Sequence, residues 1–268
     1  MPTLDIEAIK LPVMPEVAQT LIRTLNDEDA TPAQVGDIIS KDPALTITLL
    51  RMANSAEFGL SHTVTSLQRA VDVLGMSQVR ARALSICVSQ VFNAPPGIDR
   101  KAHWSYSMTC AGYAKWLAQQ LGLDAQQAWL TGMMMRLGEL VLLQHAPDLL
   151  STLQKQPCST PQRWARQIDQ VGMDEGQLTS KISERWSFPD NIVLALAAVG
   201  RPTERATYSS MGAVVHLAAL LADLADQGAQ AIDALPQEVL QTLGLELDDL
   251  RASMPAAESL NDVSMLSV

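Results

Sequence analysis

The sequence predicts an all-α protein with many helices and no significant sheet. Patterns typical of helix starts, in which a capping side chain is followed by Pro or Gln, recur along the 268 residues. Between these starts, apolar residues repeat every three or four positions, which is the spacing of one helix face. Period-two alternation with β-branched side chains, the pattern of a half-buried strand, is absent over any useful length.

Three helix starts and one buried helix are predicted in the first third of the chain. Thr31-Pro32-Ala33-Gln34 has the pattern of a capping box, and Asp42-Pro43 repeats the cap followed by proline. Thr65-Ser66-Leu67-Gln68 predicts a further capping box, with Thr65 as the cap, for a short helix that stops at Gly75. Ser77–Phe92 is apolar on most sides and is therefore expected to be a largely buried helix.

The segment Asn93-Ala94-Pro95-Pro96-Gly97 is the strongest break in the pattern, and we expect a boundary between two helical lobes there. Caps, apolar spacing and single glycines then predict a second series of helices. These are His103–Leu121, Asp124–His145, Thr160–Gly172, Glu175–Trp186, Pro189–Val199, Ala206–Asp226, Pro236–Leu243 and Leu247–Ser253.

The charge is concentrated in the last quarter of the chain. The formal net charge is −10, and residues 206–268 hold nine acidic residues against one basic residue, Arg251. We therefore expect a solvated, acidic helical extension from about Asp223 onward. Because phosphate contacts need clustered Lys and Arg, nucleic acid is not an expected partner.

Cysteine usage and the N-terminal sequence favour a cytoplasmic protein. Three scattered cysteines are too few for a disulfide framework, and Cys87 and Cys110 are expected to be small buried core residues. The N-terminus has neither the basic start nor the apolar run of a signal peptide. The longest uncharged stretch, Ala206–Ala222, contains too many polar residues for a bilayer span, so no membrane association is expected.

Histidine spacing gives no metal-binding motif. The four histidines have no adjacent Asp, and no two of them lie three or four residues apart. A metal site would need single ligands from distant helices, which is possible in a helical bundle. His103, which follows a helix start and precedes Trp104, is expected to be a hydrogen-bonded structural histidine.

Two groups of charged residues within apolar helices are candidates for binding. Arg136 and Glu139 are expected to form an i, i+3 ion pair at a helix surface, preceded by the core-filling methionines Met133–Met135. Arg80 and Arg82 form a basic spot that is interpreted as a solvated helix face. The alternative is an anion or nucleotide contact, because the planar guanidinium binds phosphate well.

Three stretches resemble a known family. Residues 41–59 read Lys-Asp-Pro-Ala-Leu-Thr-Ile-Thr-Leu-Leu-Arg-Met-Ala-Asn-Ser-Ala-Glu-Phe-Gly, and residues 11–17 and 64–75 flank them. Together they closely resemble the HDOD domain, the HD-related output domain of bacteria, with similarity from about Leu11 to Ala222. The resemblance implies an HD-like helical fold with an N-terminal lobe at 7–97, an HD-like lobe at 98–222 and the acidic extension at 223–268.

The resemblance also identifies the positions that bind metal in HD phosphohydrolases. His103 matches the first His, Met135 and Arg136 stand in place of the His-Asp doublet, and Ala219 stands in place of the late Asp. Glu175 occupies the position of a further His. Met is a weak ligand for the hard metals of such sites, Ala is none, and Arg136 brings a positive charge. The resemblance therefore implies an HD-like fold without metal, cofactor or enzymatic activity.

Two hypotheses of function follow from the residues and the resemblance. The leading one is a non-catalytic signal-transduction or regulatory module that binds a protein partner, or a small anion or nucleotide. The alternative is a residual metal-dependent phosphohydrolase or phosphodiesterase with a relocated site at His103, Asp174 and Glu175. The candidate binding residues are Arg80, Arg82, His103, Arg136, Glu139 and Glu175.

Overall fold

The computed structural model describes residues 9–55, 63–92, 95, 97–145, 158–204, 206 and 208–266. Over these ranges the chain forms helices and connecting loops without a strand, which confirms the all-α prediction. The end of the 41–59 signature and most of the break at 93–97 lie outside the described residues. The α-helices are α1 (Glu16–Leu25), α2 (Pro32–Ser40), α3 (Pro43–Ala53), α4 (Leu67–Leu74), α5 (Met76–Val91), α6 (Arg100–Gln120), α7 (Ala125–Met134), α8 (Leu137–His145), α9 (Thr160–Val171), α10 (Glu175–Arg185), α11 (Asp190–Ala198), α12 (Ser210–Asp223), α13 (Gln237–Leu243) and α14 (Leu247–Ser253).

Side chains at the helix starts explain why several helices begin where the sequence predicts. Thr31 and Gln34 form the reciprocal capping box of α2. The Asp42 carboxylate accepts a hydrogen bond from Leu45 N at 3.0 Å, and Asp124 caps α7 in the same way. These caps satisfy N–H groups that have no partner within the helix, and the interaction is local enough to be read from the sequence.

Three helix starts differ from the predictions because a different residue provides the cap. Ser66, not Thr65, caps α4 and accepts a hydrogen bond from Arg69 N at 3.2 Å. Asp99 caps α6, which therefore begins before His103. Ser209 caps α12 through Gly212 N, so this helix begins later than the predicted Ala206. In each case the helix begins after the side chain that accepts a hydrogen bond from a backbone N–H of the first turn.

The predicted helix Asp124–His145 is broken at Met135 and Arg136 into α7 and α8. The Thr179 hydroxyl of α10 lies 2.9 Å from Met135 O and accepts a hydrogen bond from Gly138 N at 2.7 Å. A partner on α10 thus satisfies backbone groups at the break. A Cβ at Gly138 would lie 2.9 Å from Leu178 Cβ, so this glycine permits the close approach of α8 and α10.

An apolar core joins the helices, with α6 packed against α7 and α12. Trp104 and Leu117 of α6 are fully buried in it. Cys87 and Cys110 are buried as predicted. The methionines Met133–Met135 are also buried in the core, which confirms their interpretation as core-filling residues.

The acidic C-terminal part of the chain is not wholly solvated, contrary to the expectation. Asp248 and Asp249 are exposed, but Ile232, Leu240 and Leu266 are buried in the same core as the preceding helices. Apolar residues between the acids therefore fix this part to the body, because burying them removes apolar surface from water. The division at residues 97 and 222 stays a prediction. No helix in the described ranges is long and apolar enough to cross a bilayer.

Candidate functional site

Four of the six predicted binding residues come together around the break between α7 and α8. Arg136 lies at the break, Glu139 on α8, His103 on α6 and Glu175 at the start of α10. Arg136 Nη2 donates a hydrogen bond to Glu139 Oε2, and Arg136 Nε lies 3.9 Å from Glu175 Oε2. The predicted ion pair of Arg136 and Glu139 is present but is largely buried, so its predicted surface position is wrong.

A second arginine, Arg163 of α9, completes the group. Its Nη2 donates to Glu175 Oε1 at 2.8 Å, and its Nε lies 3.1 Å from Oε2. Trp164 Nε1 and Gln167 Nε2 donate to the same carboxylate at 3.0 and 3.2 Å. Glu175 is 1% exposed, so these donors replace the water that a carboxylate would otherwise need.

Tyr106 of α6 lies between the two arginines. The guanidinium carbons of Arg136 and Arg163 are 4.5 and 5.8 Å from the centre of its ring, within the range of cation–π attraction. Its hydroxyl donates to Ala219 O at 2.9 Å, which ties the ring to α12. Burial raises the pKa of Tyr106, so the phenol stays protonated. We call His103, Tyr106, Arg136, Glu139, Arg163 and Glu175 the arginine cluster.

The surroundings of Glu139, Arg136 and Arg163 favour the charged form of each side chain. Burial opposes the charge on Glu139, but the charges of Arg136 and Arg163 together with His103 outweigh it and hold the pKa of this carboxyl well below its usual range. Burial opposes the charge on Arg163, but the charge and hydrogen bond of Glu175 together with Tyr106 and Glu139 outweigh it and raise the pKa of Arg163 well above its usual value. Two guanidinium groups thus face two carboxylates, and the charges compensate one another within the cluster.

His103 is buried, but the predicted hydrogen bond to its ring is not formed within the described residues. Its Nδ1 lies 3.7 Å from Glu139 Oε2, beyond hydrogen-bond distance, and neither ring nitrogen has a partner in the structure as described. The ring packs edge-on against Trp104 at 5.2 Å. Burial lowers the pKa of His103, which favours the neutral imidazole.

The residues around His103 do not fit a divalent metal ion. Glu139 and Glu175, the nearest carboxylates, are both paired with guanidinium groups, while Met135 is buried in the core and Ala219 has no donor side chain. A cation in their place would meet two fixed positive charges. Within the ranges that the structure describes, no three His, Cys, Asp or Glu side chains form a group able to hold a metal.

Comparison with protein families identifies this arrangement of helices. The family model of the HDOD domain matches residues 11–202. The chain belongs to the HDOD domain family. The match confirms the resemblance carried by residues 11–17, 41–59 and 64–75, and it ends before α12. The acidic C-terminal part of this HDOD protein therefore lies outside the matched region.

Solved structures share the fold of this HDOD protein. A candidate phosphohydrolase from Shewanella amazonensis SB2B is 23% identical with a TM-score of 0.73, and the match covers 96% of this chain and 92% of that one. A candidate signal transduction protein from Marinobacter aquaeolei VT8 is 22% identical with a TM-score of 0.77, over 100% of this chain and 62% of that one. An HDOD domain protein with unknown function from Geobacter sulfurreducens is 19% identical with a TM-score of 0.66, over 96% and 87%.

A curated relative is larger than this HDOD protein. An uncharacterized protein of Treponema pallidum (strain Nichols) is 23% identical over 190 residues, which cover 68% of this chain and 36% of that protein. The chain thus spans about a third of the length of the curated relative that it matches. At these identities the structural likenesses establish the fold of the HDOD protein, and its activity is a separate question.

Arg80 and Arg82 are not part of the arginine cluster and do not form a solvated face. Arg82 is 4% exposed and lies over the Trp129 ring, with its guanidinium carbon 3.8 Å from the ring centre. Arg80 is partly buried and donates a hydrogen bond to Thr24 O. Burial lowers the pKa of Arg80. Arg82 thus contacts α7 through Trp129, and Arg80 contacts the end of α1 through Thr24. The two arginines therefore do not form a shared basic surface.

Asp174 does not join His103 and Glu175 in a relocated metal site. It caps α10 by accepting a hydrogen bond from Gln177 N at 2.8 Å. Its other oxygen, Oδ2, packs against Gly200 and has no hydrogen-bond partner in the described structure. Burial, and next the charge of Glu175, raise the pKa of Asp174 to about 6. The three residues proposed as ligands thus have separate surroundings.

Sequence reasoning missed three members of the site that hold Glu175 in place. Arg163, Trp164 and Gln167 all lie on α9, where Arg163 and Gln167 are one turn apart on the same face. This spacing indicates that the two polar side chains share one face of the helix and could bind the same group. It could not identify the partner, because Glu175 belongs to the next helix and the turn between them determines which faces meet.

Proposed function

We propose that this HDOD protein is a non-catalytic signal-transduction module that regulates a protein partner by binding it. The observation that carries the proposal is the buried Arg136 guanidinium, which is paired with Glu139 where the HD phosphohydrolases have the Asp of their metal-binding doublet. A fixed positive charge at this position disfavours a catalytic metal.

The state of the two carboxylates supports binding over catalysis. Glu175 accepts hydrogen bonds from three side chains, and Glu139 is held by Arg136. A general base or metal ligand needs a free lone pair in reach of substrate. Both oxygens of Glu175 already accept hydrogen bonds, and Oε2 of Glu139 is occupied by Arg136. A small anion is the second ligand class, and it would have to compete with Glu139 for Arg136. We therefore place the protein partner first.

The names of two similar structures are consistent with the two hypotheses. The Marinobacter protein is called a candidate signal transduction protein, and the Shewanella protein a candidate phosphohydrolase. The phosphohydrolase alternative is favoured by one observation, the buried His103 ring with two nitrogen atoms that have no hydrogen-bond partner. A cytoplasmic setting, in which such a module would meet its partner, is part of the proposal.

Turnover and metal content distinguish the two hypotheses. The purified full chain is assayed with bis(p-nitrophenyl) phosphate and cyclic dinucleotides in the presence of Mg²⁺ or Mn²⁺, and its metal content is measured by mass spectrometry. We expect no turnover above the blank and no stoichiometric metal. Metal-dependent turnover that is lost in His103→Ala would overturn the proposal in favour of the phosphohydrolase.

Partner binding is tested with two arginine variants that are matched in sequence context. Arg136 pairs with Glu139 and Arg201 pairs with Glu204, each three residues apart, but only the first pair is buried. Proteins captured from the native cell are purified and their affinity is measured in solution. We expect a partner whose affinity falls at least tenfold in Arg136→Ala and is unchanged in Arg201→Ala. Equal affinity of the wild type, Arg136→Ala and Arg201→Ala for the partner would contradict a role of the arginine cluster in binding.

A further inference from the structure

The last described segment, residues 254–266, crosses the body as an irregular strap. Its regular structure is limited to two single 310 turns, Ala257–Ser259 and Ser264–Leu266. The second turn packs on α3 and α5, and Leu260 between the turns packs on α6. We call residues 254–266 the strap and the surface of α3, α5 and α6 beneath it the groove. The strap lies beyond the region matched by the HDOD family.

Apolar side chains anchor the strap in the groove. Leu266 is 0% exposed, and Met265 is 8% exposed. The Leu260 side chain occupies the space left by Gly112, where an added Cβ would lie 2.7 Å from Leu260 Cδ2. The groove therefore has a receptor for a leucine that requires glycine at position 112.

The polar contact between Ser89 and the strap is weak. The Ser89 hydroxyl lies 3.2 Å from Leu266 O, but it is closer to Ile86 O, at 2.8 Å, and has only one proton to donate. The Tyr113 hydroxyl is buried without a hydrogen-bond partner in the described structure. Burial, and next the charge of Glu258 in the strap, raise the pKa of Tyr113. The closed strap thus leaves a buried polar group unsatisfied, which disfavours the closed state.

The strap also underfills the groove. A cavity of about 350 Å³ lies between the end of α3 and the strap, lined by Arg51, Met52, Asp262 and Met265 among others. A smaller cavity of about 80 Å³ lies on the other side, lined by Arg82, Met108, Lys115 and Leu260 among others. A longer or bulkier segment could fill this space and bury more apolar surface than the strap does.

Charge indicates the chemistry of such a segment. The strap contains the acidic residues Glu258 and Asp262 and no basic residue. The two cavities beside it are lined by the basic residues Arg51 and Lys115 among others. A groove with leucine receptors and basic residues at its edge fits an acidic, leucine-containing peptide.

We propose that the groove is a peptide-binding site that the strap occupies as an internal ligand, and that an acidic, leucine-containing segment of a partner protein displaces it. The inference goes beyond the function proposed above. Met108, Gly112 and Lys115 lie on the face of α6 about 180° away from Tyr106 and Cys110, given 3.6 residues per turn. Peptide binding would therefore stand even if the arginine cluster proved to be catalytic.

The test uses the full chain and a fluorescein-labelled peptide with the sequence of residues 254–266. The strap is loosened by the double substitution Leu260→Ser and Leu266→Ser, and Asn261→Ser, an exposed position of the strap, is the control. We expect the loosened chain to bind the peptide at least tenfold more tightly than the wild type and the control do. Adding Gly112→Ala should remove this binding, whereas Gly36→Ala, in open space on α2, should not.

Each other outcome contradicts the proposal. If the loosened chain is folded by circular dichroism but binds no better than the wild type, the groove does not accept a peptide. If the loosened chain fails to fold, or if strap amides of the wild type exchange with deuterium no faster than those of α6, the strap is a fixed part of the core. A wild-type dimer with exchanged straps, detected by sedimentation, would assign the groove to a second copy instead of a partner.

Discussion

The guanidinium of Arg163 holds the buried carboxylate of Glu175 across the turn between α9 and α10, with Nη2 2.8 Å from Oε1 and Nε 3.1 Å from Oε2. This pair connects two helices, and Tyr106 and Arg136 pack beside it. Buried ion pairs contribute little relative to an apolar replacement, but breaking one leaves an uncompensated charge. The pair therefore fixes the geometry of the arginine cluster.

Removing Arg163 should strongly destabilise the fold. In Arg163→Ala the Glu175 carboxylate stays buried without its counter-charge, and we expect a loss of about 3–5 kcal/mol in the free energy of unfolding in urea. The control is Lys181→Ala, which breaks the exposed pair of Lys181 and Glu184 and should cost less than about 1 kcal/mol. A cost below 1 kcal/mol for Arg163→Ala would mean that Glu175 is not held by this pair.

The pKa of His103 should rise when Arg136 is removed. Burial is the main cause of its lowered pKa, and the charge of Arg136 lowers it further. Arg136→Ala removes this charge and frees Glu139, whose carboxylate favours the protonated ring. The titration is followed by NMR of the His103 ring protons, with Arg201→Ala as the control. An unchanged titration in Arg136→Ala would contradict the arrangement of the cluster.

Asp174 should make the protein less stable as the pH rises from about 4 to about 6. The folded-state pKa is raised to about 6, so the folded chain binds the proton more tightly than the unfolded chain does. The stabilisation is present below the unfolded value and is lost as the pH passes the folded value, a change on the order of 2 kcal/mol. Urea unfolding at pH 4.5, 5.5 and 6.5 measures it.

The control for this pH dependence is Asp174→Asn, which keeps an oxygen to cap α10 but has no proton to lose. We expect the difference in unfolding free energy between wild type and variant to change across the same pH range. A difference independent of pH would show that Asp174 does not titrate there.

Gly138→Ala should destabilise the contact between α8 and α10. The new Cβ would lie 2.9 Å from Leu178 Cβ and 3.0 Å from Thr179 N, so the helices must separate, at a cost of about 1–3 kcal/mol. Gly36→Ala places the same methyl group in open space on α2 and should stabilise the protein by up to about 1 kcal/mol. The midpoints of thermal unfolding of the two variants measure this difference in stability. Equal midpoints would contradict a close contact of α8 and α10 at Gly138.

The three thiols should differ in reactivity. Burial raises the pKa of Cys87 to about 12 and raises that of Cys110, whereas Cys158 is partly exposed. Because the thiolate is the reactive form, iodoacetamide should modify Cys158 first and the other two only in urea. Mass spectrometry of the labelled peptides gives the order. Early modification of Cys110 in the native protein would contradict its position in the core.

The fold class and the starts of several helices follow from local patterns in the amino-acid sequence. The caps of Thr31, Asp42 and Asp174 act within four residues, and the apolar repeat of a helix is likewise local, so both can be read without a structure. The family signature at residues 41–59 identified the overall arrangement of helices, and the family comparison confirmed it.

Which charged side chains are buried together depends on how the helices pack. Arg82 was expected in solvent but is covered by Trp129. The helix predicted from Asp124 ends at Met134, and the Thr179 hydroxyl of α10 accepts a hydrogen bond from Gly138 N just after the break. Arg163 and Glu175 meet because the turn after α9 brings the first residue of α10 back to the face of α9 that carries Arg163 and Gln167. These outcomes depend on which helix faces meet, and the local spacing of residues does not contain that information.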